Sequence, residues 1–146
     1  MSEQNKALVR RFYEEVFNRQ NVGAIDDICA PDFVDHNAMP GQAAGLQGMK
    51  DMFGAYLNAF PDMKTTVQEM IAERDLVVAR FTVEATHKGE IYGTPATGKR
   101  IAVNGIDILR IKDGRVSEAW HQGDDLVALM QIGVKLPMPA QHERVM

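Results

Sequence analysis

A change of hydrophobic period at Pro61 constrains this chain more than any other feature. Before it, apolar residues recur every three or four positions: Leu8, Phe12 and Val16, flanked by Val9, Tyr13 and Phe17, and later Met49, Met52, Phe53, Tyr56, Leu57 and Phe60. After it, the period is two. Val77, Ala79, Phe81, Val83 and Ala85 share one face of an extended segment, and Arg80, Thr82, Glu84 and Thr86 share the other. Helices first and strands afterwards predict an α+β architecture, in which helices cover one face of a curved antiparallel sheet. The 146 residues suit one domain, placed at 1–134, with a C-terminal tail at 135–146.

Local signals divide the chain further. The first helix breaks at residues 18–21, and Val22, Ile25, Ile28 and Cys29 mark a short second helix ending before Pro31. Residues 30–37, APDFVDHN, read as an extended linker, and the glycine-rich stretch 41–48 as a loop. The third helix stops at Pro61. Four strands follow: one carrying Val67, Glu69 and Ile71, one carrying the Val77–Ala85 alternation, one over 101–111, and one over 115–124. Asp113-Gly114 joins the last two as a hairpin turn. Leu126, Val127, Leu129, Met130 and Ile132 form a closing helix, stopped at Gly133.

Composition excludes several functions. The formal net charge is −4 and no block of Lys or Arg occurs, so no nucleic-acid surface is expected. The single cysteine, Cys29, has no partner for an internal disulfide; with no apolar leader and no membrane-length apolar run, a cytoplasmic protein is expected. HExxH, CxxC, a P-loop, GxSxG and a strand-borne GxGxxG are all missing from the sequence, so neither metal nor cofactor is expected.

A two-residue turn at Asp113-Gly114 would set Asp107 opposite Trp120 and Val103 opposite Asp124. Asp107, Leu109, Trp120 and Asp124 then share an inward, apolar-rich face, and His121 points away unless a bulge re-aims it. A carboxylate on an inward face must be paired, hydrogen-bonded or protonated, which makes Asp107 and Asp124 candidate acids or bases. Two structural readings stand beside this. Asp124 could cap the closing helix, and Asp107 could accept from the Trp120 indole. His87 continues the inward series of its strand, and His36 lies in the linker over the expected cavity mouth; each is a candidate hydrogen-bonding or acidic group. Tyr13, Phe33, Phe53, Phe81 and Trp120 are expected to wall an apolar pocket.

These pieces resemble a known family. VRRFYEEVFN, DFVDH, AFPDM, THKGEIYGTPATGKR, GIDILRIKDGRVSEAW and the ending D-x(4)-L-x-Q-x-G, from Asp124 to Gly133, occur in the order and spacing of the SnoaL-like polyketide cyclases. These ester cyclases belong to the nuclear-transport-factor-like superfamily. The resemblance spans residues 6–133. It implies an α+β cone with one deep pocket, no cofactor, and ring closure by intramolecular aldol condensation. It also implies an acid/base role for Asp124 and a polar partner on the preceding strand. That partner is a histidine in some members and Asp107 here, with His121 as the alternative if the last strands carry a bulge.

Two other classes remain open on the residues alone. One is an isomerase, epoxide hydrolase or dehydratase on the same scaffold; the other is a non-catalytic binding protein or interaction module. The expected partners are a small hydrophobic substrate and a second copy of the chain, docked through an outer sheet strip of Val78, Ile106, Ile108 and Ala119.

Overall fold

A computed structural model describes residues 2–135. The expected tail from residue 136 onward, His142 included, lies outside them.

Helix α1 (Ser2–Phe12) carries Glu3 in its first turn and Arg10 and Arg11 in its last, the charge order that suits the helix dipole. It runs straight into a π-helical turn, Tyr13–Asn18. The wider turn brings Phe12, Tyr13 and Val16 into the core together, with Phe17 packed beside them. Asn18 then pairs with the backbone of Thr65, donating to its carbonyl at 2.9 Å and accepting from its N–H at 2.8 Å. A 3-10 turn (Val22–Ala24) leads into the short α2 (Ile25–Ile28), and α3 spans Gly45–Ala59.

Five strands form one curved mixed sheet in the order β1-β5-β4-β3-β2, where β1 is Cys29–Asp35, β2 Lys64–Glu73, β3 Leu76–Thr86, β4 Arg100–Lys112 and β5 Arg115–Gly123. Helix α4 (Asp125–Gln131) closes the open end. The helices pack on the inner face, around Val9, Ile25, Ile28, Phe33, Val77, Phe81 and Leu109. No described helix is long and apolar enough to cross a membrane.

Three features depart from the pattern read in the sequence. The expected linker 30–37 is largely strand: β1 pairs in parallel with β5, so the sheet is mixed rather than wholly antiparallel. Its alternation is interrupted at Pro31, which lacks an N–H and is tolerated at a sheet edge. In β2, a bulge at Gln68 shifts the phase, so Val67 and Met70 turn inward and Ile71 faces out. In β5, Lys112 pairs with Arg115 and Ile111 with Val116 as expected. A bulge at Ser117 then sets Arg110 opposite Glu118, Ile108 opposite Trp120 and Asp107 opposite His121. Ser117 is nearly buried and donates to the Arg110 carbonyl at 3.2 Å, which anchors the extra residue. The one-residue slip exchanges the faces beyond it: Ala119 and His121 turn inward, and Trp120 turns outward.

Candidate active site

The inner face of the sheet, α3 and α4 enclose a cavity of about 370 Å³. Phe33, Phe53, Phe81, Met49, Met52, Met63, Val103 and Leu129 give it a mainly apolar wall. Phe12 and Phe17 join the wall, packed edge-on to Phe53 at ring separations of 5.9 and 4.7 Å. Glycine at 105 lets Phe81 lie against β4, since a β-carbon there would stand 2.4 Å from the ring.

Polar groups enter this wall through a hydrogen-bonded chain. Asp107, only 7% exposed, accepts from the Tyr13 hydroxyl through Oδ2 and from His121 Nδ1, 2.5 Å from its Oδ1. The π-helical turn supplies Tyr13, and the β5 bulge supplies His121. Burial, followed by the adjacent Asp107 charge, drives the Tyr13 phenol far above its ordinary range, so it remains a donor. The hydrogen bond to Asp107 raises the His121 pKa; burial opposes this, and the charges of Asp107, Asp125 and Asp35 add to it. Nδ1–H therefore points at the carboxylate, which leaves Nε2 without a hydrogen-bond partner among the described residues, on a ring that lines the cavity. Gly123 keeps that nitrogen clear, because a β-carbon at this position would lie 2.9 Å from it. The His121 backbone N–H donates to Asn37 Oδ1 at 2.7 Å, and Phe81 lies roughly parallel to the imidazole at 6.1 Å.

Asp124 also lines the cavity. It occupies the N-cap position of α4, yet its side chain makes no cap hydrogen bond. Oδ2 instead accepts from the Asn104 N–H at 3.1 Å. The simple capping reading therefore does not describe this carboxylate.

The other candidates named from the sequence fall elsewhere, for reasons of register. Tyr13 stands behind Asp107 rather than in the described cavity lining. Trp120 is on the outer face, stacked on His36 at 4.5 Å, so it neither walls the cavity nor receives Asp107 as a partner. His36 Nε2 is bonded to Glu118 at 2.7 Å on that same outer side. His87 is wholly buried beside Phe60, its Nδ1 2.9 Å from the Thr97 hydroxyl, and is not in the described cavity lining. Phe33, Phe53, Phe81, Asp107, Asp124 and His121 do come together around one space.

Residue spacing did not disclose Asp35, Asn37, Asn104, Tyr56 and Tyr92 in the lining. Asn37 directly follows His36 in VDHN, so treating that stretch as a linker hid it. Among the described residues, no group of three or more His, Cys, Asp or Glu could hold a metal ion.

The fold and cavity define a class: a curved α+β sheet closing over a mainly apolar chamber, with a Tyr–Asp–His chain and the further carboxylates of Asp35, Asp124 and Asp125 in or behind its wall. Residues 7–132 match the SnoaL-like polyketide cyclase family, and the chain belongs to it. It is 28% identical over 143 residues to DauD, the aklanonic acid methyl ester cyclase of Streptomyces sp. (strain C5), covering 90% of this chain and 83% of that one. Among solved structures it is similar to TsrD of Streptomyces laurentii, with TM-score 0.83, 28% identity, and coverage of 91% of this chain and 97% of that one. AclR of Streptomyces galilaeus, proposed to be a hydroxylase, has TM-score 0.82 and 32% identity, covering 94% of this chain and all (100%) of that one.

Proposed function

We propose that the protein closes a ring in a polyketide-like ester by intramolecular aldol addition, using acid and base side chains and no cofactor. The observation that carries this reading is the Tyr13–Asp107–His121 chain ending in a mainly apolar cavity whose lining also contains Asp124.

A methylene between two carbonyls is acidic enough for a positioned carboxylate to remove its proton. Asp124 is assigned this role, since its Oδ2 is tethered by one backbone N–H and its side chain is not spent on capping. The enolate carbon attacks a ketone of the same molecule, forming the C–C bond while the ketone oxygen takes up negative charge. His121, held as an imidazolium by Asp107, donates the proton to that oxygen from Nε2. Asp107 and Tyr13 act as positioning residues, fixing the ring's tautomer and direction. Proton count balances: one leaves carbon and one reaches oxygen, so the product is an isomer of the substrate. The aromatic wall holds the chain folded so that enolate and ketone meet.

Aklanonic acid methyl ester, the compound named for DauD, is a suitable first test substrate. Asp124→Asn should keep the fold and lower turnover by about two to four powers of ten, the usual worth of a general base. An unchanged rate on a substrate the parent protein converts would remove Asp124 from the mechanism.

A further inference from the structure

The loop between β3 and β4 is pinned at both feet and bonded across the cavity rim at its tip. At the first foot, the N–H groups of Lys88 and Gly89 both donate to the Ala59 carbonyl at the end of α3, at 2.8 and 3.0 Å. Only glycine fits there, since a β-carbon on Gly89 would stand 2.6 Å from the Asn58 carbonyl oxygen. At the second foot, His87 N–H donates to the Lys99 carbonyl and Gly98 N–H to the His87 carbonyl, each at 2.8 Å.

The tip is a tight turn. Ile91 and Thr94 exchange two backbone hydrogen bonds at 3.1 and 2.8 Å, and the Gly93 N–H donates to Glu90 Oε1 at 2.7 Å. Tyr92 takes the first inner position of this turn with φ of +50° and Gly93 follows at +74°. Left-handed backbone is unfavourable for a bulky aromatic residue, and such outliers persist where the surroundings or a function hold them. Gln20, Arg74 and Asp113 share the left-handed region, but Tyr92 alone of these four lies in the cavity lining.

The turn aims Tyr92 at α3. Its hydroxyl is hydrogen-bonded to that of Tyr56, with the rings edge to face at 6.1 Å. Both rings line the cavity, yet Tyr92 is 47% exposed, so it sits at the rim. Burial raises the pKa of both phenols, so the bond does not fade through ionisation at neutral pH.

We propose that Tyr92 is a gate: its bond to Tyr56 holds the loop tip against α3, and a ligand reaches the cavity by breaking that bond and displacing the tip. The loop's feet stay fixed while the tip swings. The proposal applies to any ligand of the cavity and does not depend on ring closure.

Cys29 provides a reporter. It is the single cysteine of the sequence, it is wholly buried, and it lies in the cavity wall. A thiol reagent reaches it by entering the cavity and displacing the side chains that cover it, or by unfolding of the protein. Burial, with Asp26 nearby, pushes its pKa up to about 12, which slows labelling equally in all variants that leave its surroundings intact.

The experiment follows labelling of the intact protein by dithiodipyridine, a small neutral aromatic disulfide. Tyr92→Phe and Tyr56→Phe each remove the shared bond while keeping a ring. Each should speed labelling by about threefold to tenfold, the worth of one hydrogen bond. The double variant should label no faster than either single one, because both lose the same bond. Val9→Ala, a core change away from the rim, serves as the unfolding control. The gate is refuted if the Phe variants label at the parent rate, if their speed-ups multiply in the double variant, or if Val9→Ala at matched stability labels as fast.

Discussion

Asp107 joins two elements that are far apart in sequence. Its carboxylate accepts from Tyr13 in the π-helical turn and from His121 beyond the β5 bulge, and it is nearly buried. His121 has its pKa raised chiefly by this hydrogen bond, so the pair stabilises the fold most while the imidazole is charged. That contribution is fully present below the pKa of the unfolded histidine and is lost as pH rises through the higher folded value. Ring closure that uses His121 as the acid should fall over the same upper limb. Asp107→Asn removes the negative partner, and NMR titration of the His121 ring proton should show its pKa moved down. The falling limb of the rate profile should move down with it. A His121 titration unchanged in this variant would mean that Asp107 does not hold the imidazolium.

At the scale of elements, periodicity was the legible part. The helix-then-strand order, α1, α3, the alternation of β3 and the turn at Asp113-Gly114 all follow from residue spacing. The illegible part was phase. A hairpin turn fixes register only as far as the first bulge, and the residue that shifts it, Ser117, is a small polar residue with no distinguishing pattern. That single insertion moved Trp120 out of the cavity and His121 into it. The inward position of Asp107 was readable because β4 has no bulge before it, whereas its Tyr13 partner was not, because a π-helical turn has no sequence period of its own. The β1 strand was hidden by Pro31. Gly105 tests how tightly β3 and β4 are fitted. Its alanine variant would put a β-carbon 2.4 to 3.1 Å from the Phe81 ring atoms. Urea denaturation should therefore show a loss of about 1–3 kcal/mol, as for other over-packed sites. An unchanged midpoint would mean that Phe81 moves aside freely into the cavity.

At the scale of the whole molecule, the bulges also define the outer face. Ile71, Val78, Ile108 and Trp120 pair in register across four strands, and His36 stacks on Trp120 at the end of the row. Ala119, expected in this strip, faces inward, and Trp120 takes its place. Arg80–Glu69 lies along one side of the row and Arg110–Glu118 along the other. A second copy is proposed to cover this row about a twofold axis, because an apolar line flanked on both sides by ion pairs is self-complementary. Light scattering should give twice the mass of one chain, and Ile108→Glu should reduce it to one. A monomeric parent at micromolar concentration would contradict the dimer. The reaction itself is tested most directly by incubating the chelator-treated protein with a polyketide ester in D2O and following the product by mass spectrometry and NMR. The expected result is a ring-closed isomer of the substrate that differs in mass only by exchanged deuterium, formed by the parent and lost in His121→Ala and Asp124→Asn. A product heavier by one oxygen atom, or tight binding of the ester with no conversion, would contradict ring closure by acid/base catalysis.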